Sequence, residues 1–225
     1  MTTPRFMVEN VGTNIDAVKI VFEEAFKYAV SNGIAQITLL VPVKGAFPDT
    51  AVEKFVGPNA KSLCKGGSMQ LGGGVSLDLI TARDAPSYRS NGIVIGVYLS
   101  QIDLDALDSV RSARAIVYLP CFEEEGKAWM STWSPVVWGA STWSVAPVSL
   151  PPAVEAELLR LTSAVNLTTG LSHPSDKENA KRTFSSLKRD GHNVQPEDLR
   201  RWAIKNGWAP RHAEDLFKLA GKYFG

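Results

Sequence analysis

"GIVIGVYLSQIDLDALDSVRSARAIVYLPC", residues 92–121, holds two apolar runs of strand length separated by a short, polar-faced segment. Runs rich in Val, Ile and Leu, with no polar alternation, are how strands buried on both faces of a parallel sheet read. Between them, Ser100 and Asp103 stand at the spacing of a capping pair, which opens a short helix over "QIDLDALDSV". Strand, short helix and strand with tight connections form a βαβ unit, whose two strands run parallel through a right-handed crossover. The expectation is that 92–99 and 114–119 are parallel, either adjacent or with one strand between them.

Toward the N-terminus the pattern extends. Val18, Val21, Phe22, Ala25, Phe26 and Ala29 recur at helical spacing after the pair Thr13 and Asp16, and Asn32-Gly33 ends the stripe. "IAQITLLVPV" (34–43) and "VSLDLITA" (75–82) read as strands, and Thr50 with Glu53 opens a short helix that stops at Gly57-Pro58. Between them "KGGSMQLGGG" (65–74) has the glycines of a phosphate-cradling loop but the wrong order of elements. It follows a helix and enters a strand, whereas a P-loop or dinucleotide fingerprint follows a strand and opens a helix. A surface loop or hairpin is the favoured reading, and a mobile lid the other.

Beyond residue 121, "FEEEGKAWMSTW" reads as a helix, "SPVVWG" as a short strand, and 153–167 as a helix with Val154, Leu158, Leu161 and Val165 on one face. The fold class is therefore α/β, a three-layer sandwich with four or five mainly parallel strands over residues 1–168. Residues 169–225 lose all strand pattern and give three helices, 176–189 opened by Ser175 and Glu178, and 196–206 and 210–224 each beginning with proline. They are read as a small, basic helical module.

Composition narrows the function classes. With 44% hydrophobic and 21% charged residues in 225, the chain has enough apolar content for a full core. It has no apolar run long enough to span a bilayer and no secretory pattern at "MTTPRFMVEN", so a cytoplasmic protein without membrane contact is expected. Cys64 and Cys121 lack metal-ligand or disulfide spacing and are read as reduced. All three histidines lie in the tail, there is no GxSxG, and no nucleophilic triad assembles, so neither a metal site nor a cofactor is expected.

In a parallel sheet, ligands bind outside the carboxyl ends of the strands, where the winding order reverses. That rule selects Lys44, Arg83, Ser100 and Cys121 at the strand exits. Lys44 and Arg83 can hold a small anion, Ser100 can present a helix N-terminus, and Cys121, beside a helix start, is expected to have a depressed thiol pKa. The tail carries 11 Lys/Arg against 7 Asp/Glu in residues 171–225, an excess of +4, leaving 13 against 16, or −3, for 1–170. Arg200, Arg201, Lys205 and Arg211 are the candidates for nucleic-acid contact, which acidic neighbours such as Glu197 and Asp198 make the less favoured reading. Finally, "STWSPVVWGASTWS" (131–144) repeats a tetrapeptide around three tryptophans. Packing between the sheet edge, helix 153–167 and the tail is favoured, with a protein-partner or homodimer surface second. The combined reading is a regulatory or accessory protein with a ligand- or partner-binding crevice; the alternative is an enzyme acting on an anionic or phosphorylated small molecule.

Overall fold

The computed structural model describes residues 3–110 and 112–225, and the chain divides into two compact units, Met1–Val145 and Ala146–Gly225. The first is built on β1 (Arg5–Met7), α1 (Ile15–Ser31), β2 (Gln36–Val41), α2 (Ala51–Val56), α3 (Ala60–Cys64), β3 (Met69–Gly72) and β4 (Val75–Thr81). It continues through β5 (Ile93–Val97), α4 (Gln101–Ser109), β6 (Ala115–Leu119), α5 (Glu123–Trp133) and β7 (Val136–Val137). The strands form one seven-stranded sheet in the order β3-β4-β2-β5-β6-β1-β7. β5 and β6 are parallel neighbours, with Ile93 opposite Ala115 and Val97 opposite Leu119, as the βαβ reading expects. The other pairings are parallel too, except the β3–β4 hairpin, into which the glycine-rich stretch 65–74 folds.

Alternation along the central strands divides the core into two layers. Ile37, Leu39 and Val41 of β2 and Ile93, Ile95 and Val97 of β5 pack with α1, α2 and α3, while Leu40, Val94 and Ile116 pack with α4 and α5. Gly96 sets how closely α4 approaches: a Cβ there would lie 2.7 Å from Leu107 Cδ2 and 2.8 Å from Leu99 Cδ1. The caps follow the sequence closely. Thr50 Oγ1 accepts from Glu53 N and Ser100 Oγ from Asp103 N, but α1 is capped by Asn14, whose side chain accepts from Asp16 N, rather than by Thr13.

The second unit holds α6 (Pro152–Ala164), α7 (Pro174–Arg189), α8 (Pro196–Lys205) and α9 (Pro210–Phe224). Each of the four begins with proline, whose fixed φ suits a first helical turn and whose missing N–H would be unpaired there anyway. The division expected at residue 168/169 falls inside this unit. Helix α6 belongs with the tail because Trp202 Nε1 donates to Glu155 Oε1 (3.2 Å) and Trp208 Nε1 to Thr162 Oγ1 (3.0 Å). The N-cap of α7 is His173, not Ser175, and its Nδ1 accepts from Ser175 N. Among the described residues no helix is long and apolar enough to cross a membrane.

At the amino edge of the sheet, Arg5 of β1 is nearly buried and its guanidinium lies 3.4 Å from the centroid of the Trp133 ring. Asp108, at the end of α4, accepts from Arg5 Nη2 (3.4 Å) and from Trp133 Nε1 (3.1 Å). The group joins β1 to the C-termini of α4 and α5. Burial acts against both charges: it pushes the Asp108 carboxyl up to about 6 despite the attraction of Arg5, and it pushes Arg5 down. A carboxyl that holds its proton more tightly folded than unfolded adds stability at low pH, and that contribution is lost as pH rises through about 6. Urea unfolding should therefore show a gain of about 1 kcal/mol from this group between pH 7 and pH 5. Asp108→Asn should remove the gain; the same pH dependence in the variant would show that Asp108 is not its source.

Candidate functional site

All strands but β3 point the same way, so their carboxyl ends share one edge. The chain leaves β1 and β2 toward α1 and α2 on one face, and leaves β5 and β6 toward α4 and α5 on the other. The winding thus diverges between β2 and β5 and again between β6 and β1, the places where an α/β sheet opens a crevice.

At the second of these, the loops after β1 and β6 are stitched together. Asn10, only 4% exposed, donates through Nδ2 to Pro120 O (2.6 Å) and Gly12 O (2.8 Å), and Gly12 N donates to Cys121 O (2.7 Å). Tyr98, just past β5, is fixed to the same strand end by its N–H on Leu119 O (2.9 Å). Its φ of +53° lies in the left-handed region, rare for a bulky residue and worth on the order of 1–3 kcal/mol of strain. Three buried atoms here find no hydrogen-bond partner among the described residues: Asn10 Oδ1, Tyr98 Oη and Glu125 Oε2. Burial and the neighbouring Cys121 push the Tyr98 phenol up to about 12, and burial with the Glu124 charge raises Glu125. The edge is also apolar at its rim, where Val11 and Phe122 are 61% and 59% exposed and Ile102 stands out from the first turn of α4.

Of the four residues selected from sequence, Cys121 lies in this group, but its thiol is pushed up, the reverse of the expected depression. Burial is the main cause, and Glu125 adds to it; the first turn of α5 carries Glu123, Glu124 and Glu125, which offset the helix dipole. Ser100 spends its hydroxyl on Asp103, donating to the carboxylate at 2.7 Å while capping α4. Lys44 and Arg83 are exposed and both act on Asp84, whose carboxyl is held low chiefly by hydrogen bonds from the Thr81 hydroxyl and N–H. They sit at the ends of β2 and β4, with β5 between them and β6, so the structure does not bring them to Cys121. Asn10, Tyr98 and Glu125 are not among the residues that the strand-exit rule selected. The signal for Asn10 was in "MVENVG", which becomes a strand exit once residues 5–7 are read as a strand, whereas Tyr98 and Glu125 lie in the strand run and the acidic helix start that the sequence does show.

The four nucleic-acid candidates divide similarly. Arg200 is buried and its Nε meets Glu214 Oε2 at 3.1 Å; Arg201 pairs with Glu197 (3.3 Å) and Asp198 (3.9 Å). Lys205 and Arg211 are exposed, and Arg211 Nε lies 3.2 Å from His212 Nε2.

The repeated tetrapeptide does two different jobs, and both lie within the first unit. In the first copy, Trp133 joins the Arg5–Asp108 group and Ser134 ends α5 in the left-handed conformation. In the second, Ser141 Oγ, Thr142 Oγ1 and the N–H groups of Thr142 and Trp143 all donate to the Glu9 carboxylate, between 2.6 and 3.0 Å. Burial works to raise the Glu9 pKa, but those four bonds together hold it below its usual range. Trp138 stacks on Phe6, centroids 4.5 Å apart, and Trp143 lies over Gly126 of α5. Trp133, Trp138 and Trp143 are half-buried, and these partners are residues of the sheet unit.

Two predictions follow from these contacts. A Cβ at Gly126 would come within 2.4 Å of Trp143 Cζ3, so Gly126→Ala should displace the ring and destabilise the protein. In a Trp143→Ala background most of that cost should disappear, leaving only the 3.1 Å approach of the new Cβ to Pro120 Cγ. Chemical unfolding of the four-member cycle checks this; equal effects in the two backgrounds would disprove the contact. Likewise, Arg200→Ala should cost about 1–2 kcal/mol, chiefly by removing a buried side chain, since Glu214 is partly exposed and keeps Lys218 at 3.4 Å, while Lys205→Ala should change stability by less than about 0.5 kcal/mol. Thermal melts of both variants decide whether Arg200 is a structural ion or a free surface charge.

Among known proteins, residues 150–224 match the model of a family described as a domain of unknown function (DUF1889), a match that falls within the second unit. No curated protein and no solved structure matches the chain.

Proposed function

We propose that the protein is a regulatory or accessory ligand-binding protein of the cytoplasm, whose Rossmann-like sheet holds a small molecule at the carboxyl ends of β5, β6 and β1. The observation that carries this reading is the group of buried polar atoms, Asn10 Oδ1, Tyr98 Oη and Glu125 Oε2, without hydrogen-bond partners among the described residues. Such atoms each cost on the order of 1–3 kcal/mol, a cost that a ligand supplying the missing bonds relieves. The left-handed backbone at Tyr98 and the exposed Val11 and Phe122 at the same seam support it, since strain and exposed apolar side chains concentrate where function needs them. The two free cysteines suit a reducing compartment.

An enzyme acting on an anionic substrate draws less support, because Lys44 and Arg83 stand at strand ends away from Cys121 and the Cys121 thiol is pushed up by burial. Nucleic-acid contact draws less still, since Arg200 and Arg201 are engaged by carboxylates of their own unit.

The test is a fragment library of mixed charge, screened by amide chemical shifts of the full-length protein. Hits are expected to move Gly12, Tyr98 and Cys121 in a saturable way. Shifts confined to residues 146–225, or no saturable hit at these three amides, would overturn the reading.

A further inference from the structure

His212 stands in the first turn of α9 with its ring almost wholly buried, and the groups around that ring make incompatible demands on it. Nε2 lies 3.0 Å from Thr168 O, an acceptor, and 3.2 Å from Arg211 Nε, a donor. An imidazole nitrogen holds either a hydrogen or a lone pair in the plane of the ring, so Nε2 serves the carbonyl or the guanidinium and never both. Nδ1 has no hydrogen-bond partner, and Asp215 Oδ2 faces it at 3.9 Å, beyond bonding distance but close enough for charge to act. Gly170, at a φ of +57°, presses its bare backbone against the ring, where a side chain would collide with Cγ and Nδ1.

Protonation decides which partner Nε2 takes. In the neutral ring the hydrogen belongs on Nδ1, where it faces the Asp215 carboxylate; a lone pair there would be buried beside a negative charge with no donor to accept from. Nε2 then accepts from Arg211, a charge-assisted bond, and Thr168 O, on an exposed residue, turns to water. In the protonated ring both nitrogens are donors. Nε2–H pairs with Thr168 O, Nδ1–H still faces Asp215, and Arg211, a second cation with a donor aimed at a donor, is driven off.

The other charges around α9 are engaged elsewhere. The 166–172 loop, α7 and α8 all pack against that helix, and the loop has no charged side chain. At the start of α7, Asp176 accepts from Asn166 N and from Ser175 Oγ, both at 3.4 Å, and His173 Nδ1 lies 2.8 Å from Ser175 Oγ. On α8, Arg200 is held by Glu214. Arg211 and Asp215 are the charges that act at the ring itself.

We propose that His212 is a protonation switch within the second unit: neutral, it holds Arg211; protonated, it releases the Arg211 guanidinium to solvent and pins the 166–172 loop to the first turn of α9 through Thr168 O. An imidazole is the side chain by which proteins ordinarily read pH between about 5 and 8.

Long-range proton–nitrogen NMR correlation of the full-length protein distinguishes rings carrying hydrogen on Nδ1, on Nε2 or on both. Above its titration His212 should carry the hydrogen on Nδ1. Below it, the amides of Thr169 and Gly170, both bonded to Asn166 O in the loop that the new contact holds, should gain about five-fold in exchange protection, the worth of one hydrogen bond. Arg211→Ala, at an exposed position, should let His212 keep its proton about half a unit to one unit higher in pH. Asp215→Asn should make it lose the proton correspondingly lower, and His192 should respond to neither change. A neutral ring with its hydrogen on Nε2 would overturn the proposal, because the Thr168 bond would then be made at every pH. So would a titration that Arg211→Ala leaves in place, loop protection that is the same on both sides of it, or a ring that stays neutral until the protein unfolds.

Discussion

One edge of the first unit's sheet depends on a strand of three residues. β1 lies between β6 and β7, and through it β7 joins the sheet, whereas β6 pairs directly with β5. Three residues form too short a ladder to hold a position by themselves, since an ordinary strand has about five or six. The sequence compensates at both ends. Arg5 is clamped by Asp108 and Trp133 below the strand, and Glu9, just above it, is held by four hydrogen bonds from residues 141–143. Phe6, in the middle, stacks on Trp138 and meets Tyr28 edge-on.

The clamps explain why the tryptophans cluster. Trp133, Trp138 and Trp143 contact the segment around β1 or the helix beside its exit, and the repeated tetrapeptide falls where the chain passes that strand twice. The candidate site inherits this dependence. Asn10 reaches Pro120 from the loop that follows β1, whose pairing with β6 sets the two loops side by side.

Much of the layer structure was legible in the sequence, because long apolar runs and capping pairs are strong local signals. β2, β4, β5 and β6 and the parallel crossover of 92–121 all lie where those signals put them. The two strands that went unread, β1 and β3, span three and four residues, too few for any period to register. The site was legible in position and not in composition: the strand-exit rule selects Cys121 but has no means of finding Asn10, which sits beside it through a strand that was not seen. The thiol expectation failed because a helix N-terminus lowers a pKa only where burial and neighbouring carboxylates permit it, and here both oppose. In the tail, counting charges overstated the free positive surface, since Arg200 and Arg201 are neutralised locally in ways a net charge cannot express.

The placement of β1 also has a consequence for how the chain acquires its structure. Arg5 pairs with Ile116, and Phe6 with both Val117 and Val136, so β1 has no neighbour in the sheet until roughly half of these residues have followed it. Sheets whose pairings join such distant segments close slowly, and a segment waiting for its partners exposes an unpaired edge in the meantime. The wait is shorter in the middle of the sheet, where β4 finds β3 just before it and β2 pairs with β4 and then β5. Assembly would thus begin at the middle of the sheet and finish with β1, and the seam carrying Asn10 would be among the last features to form.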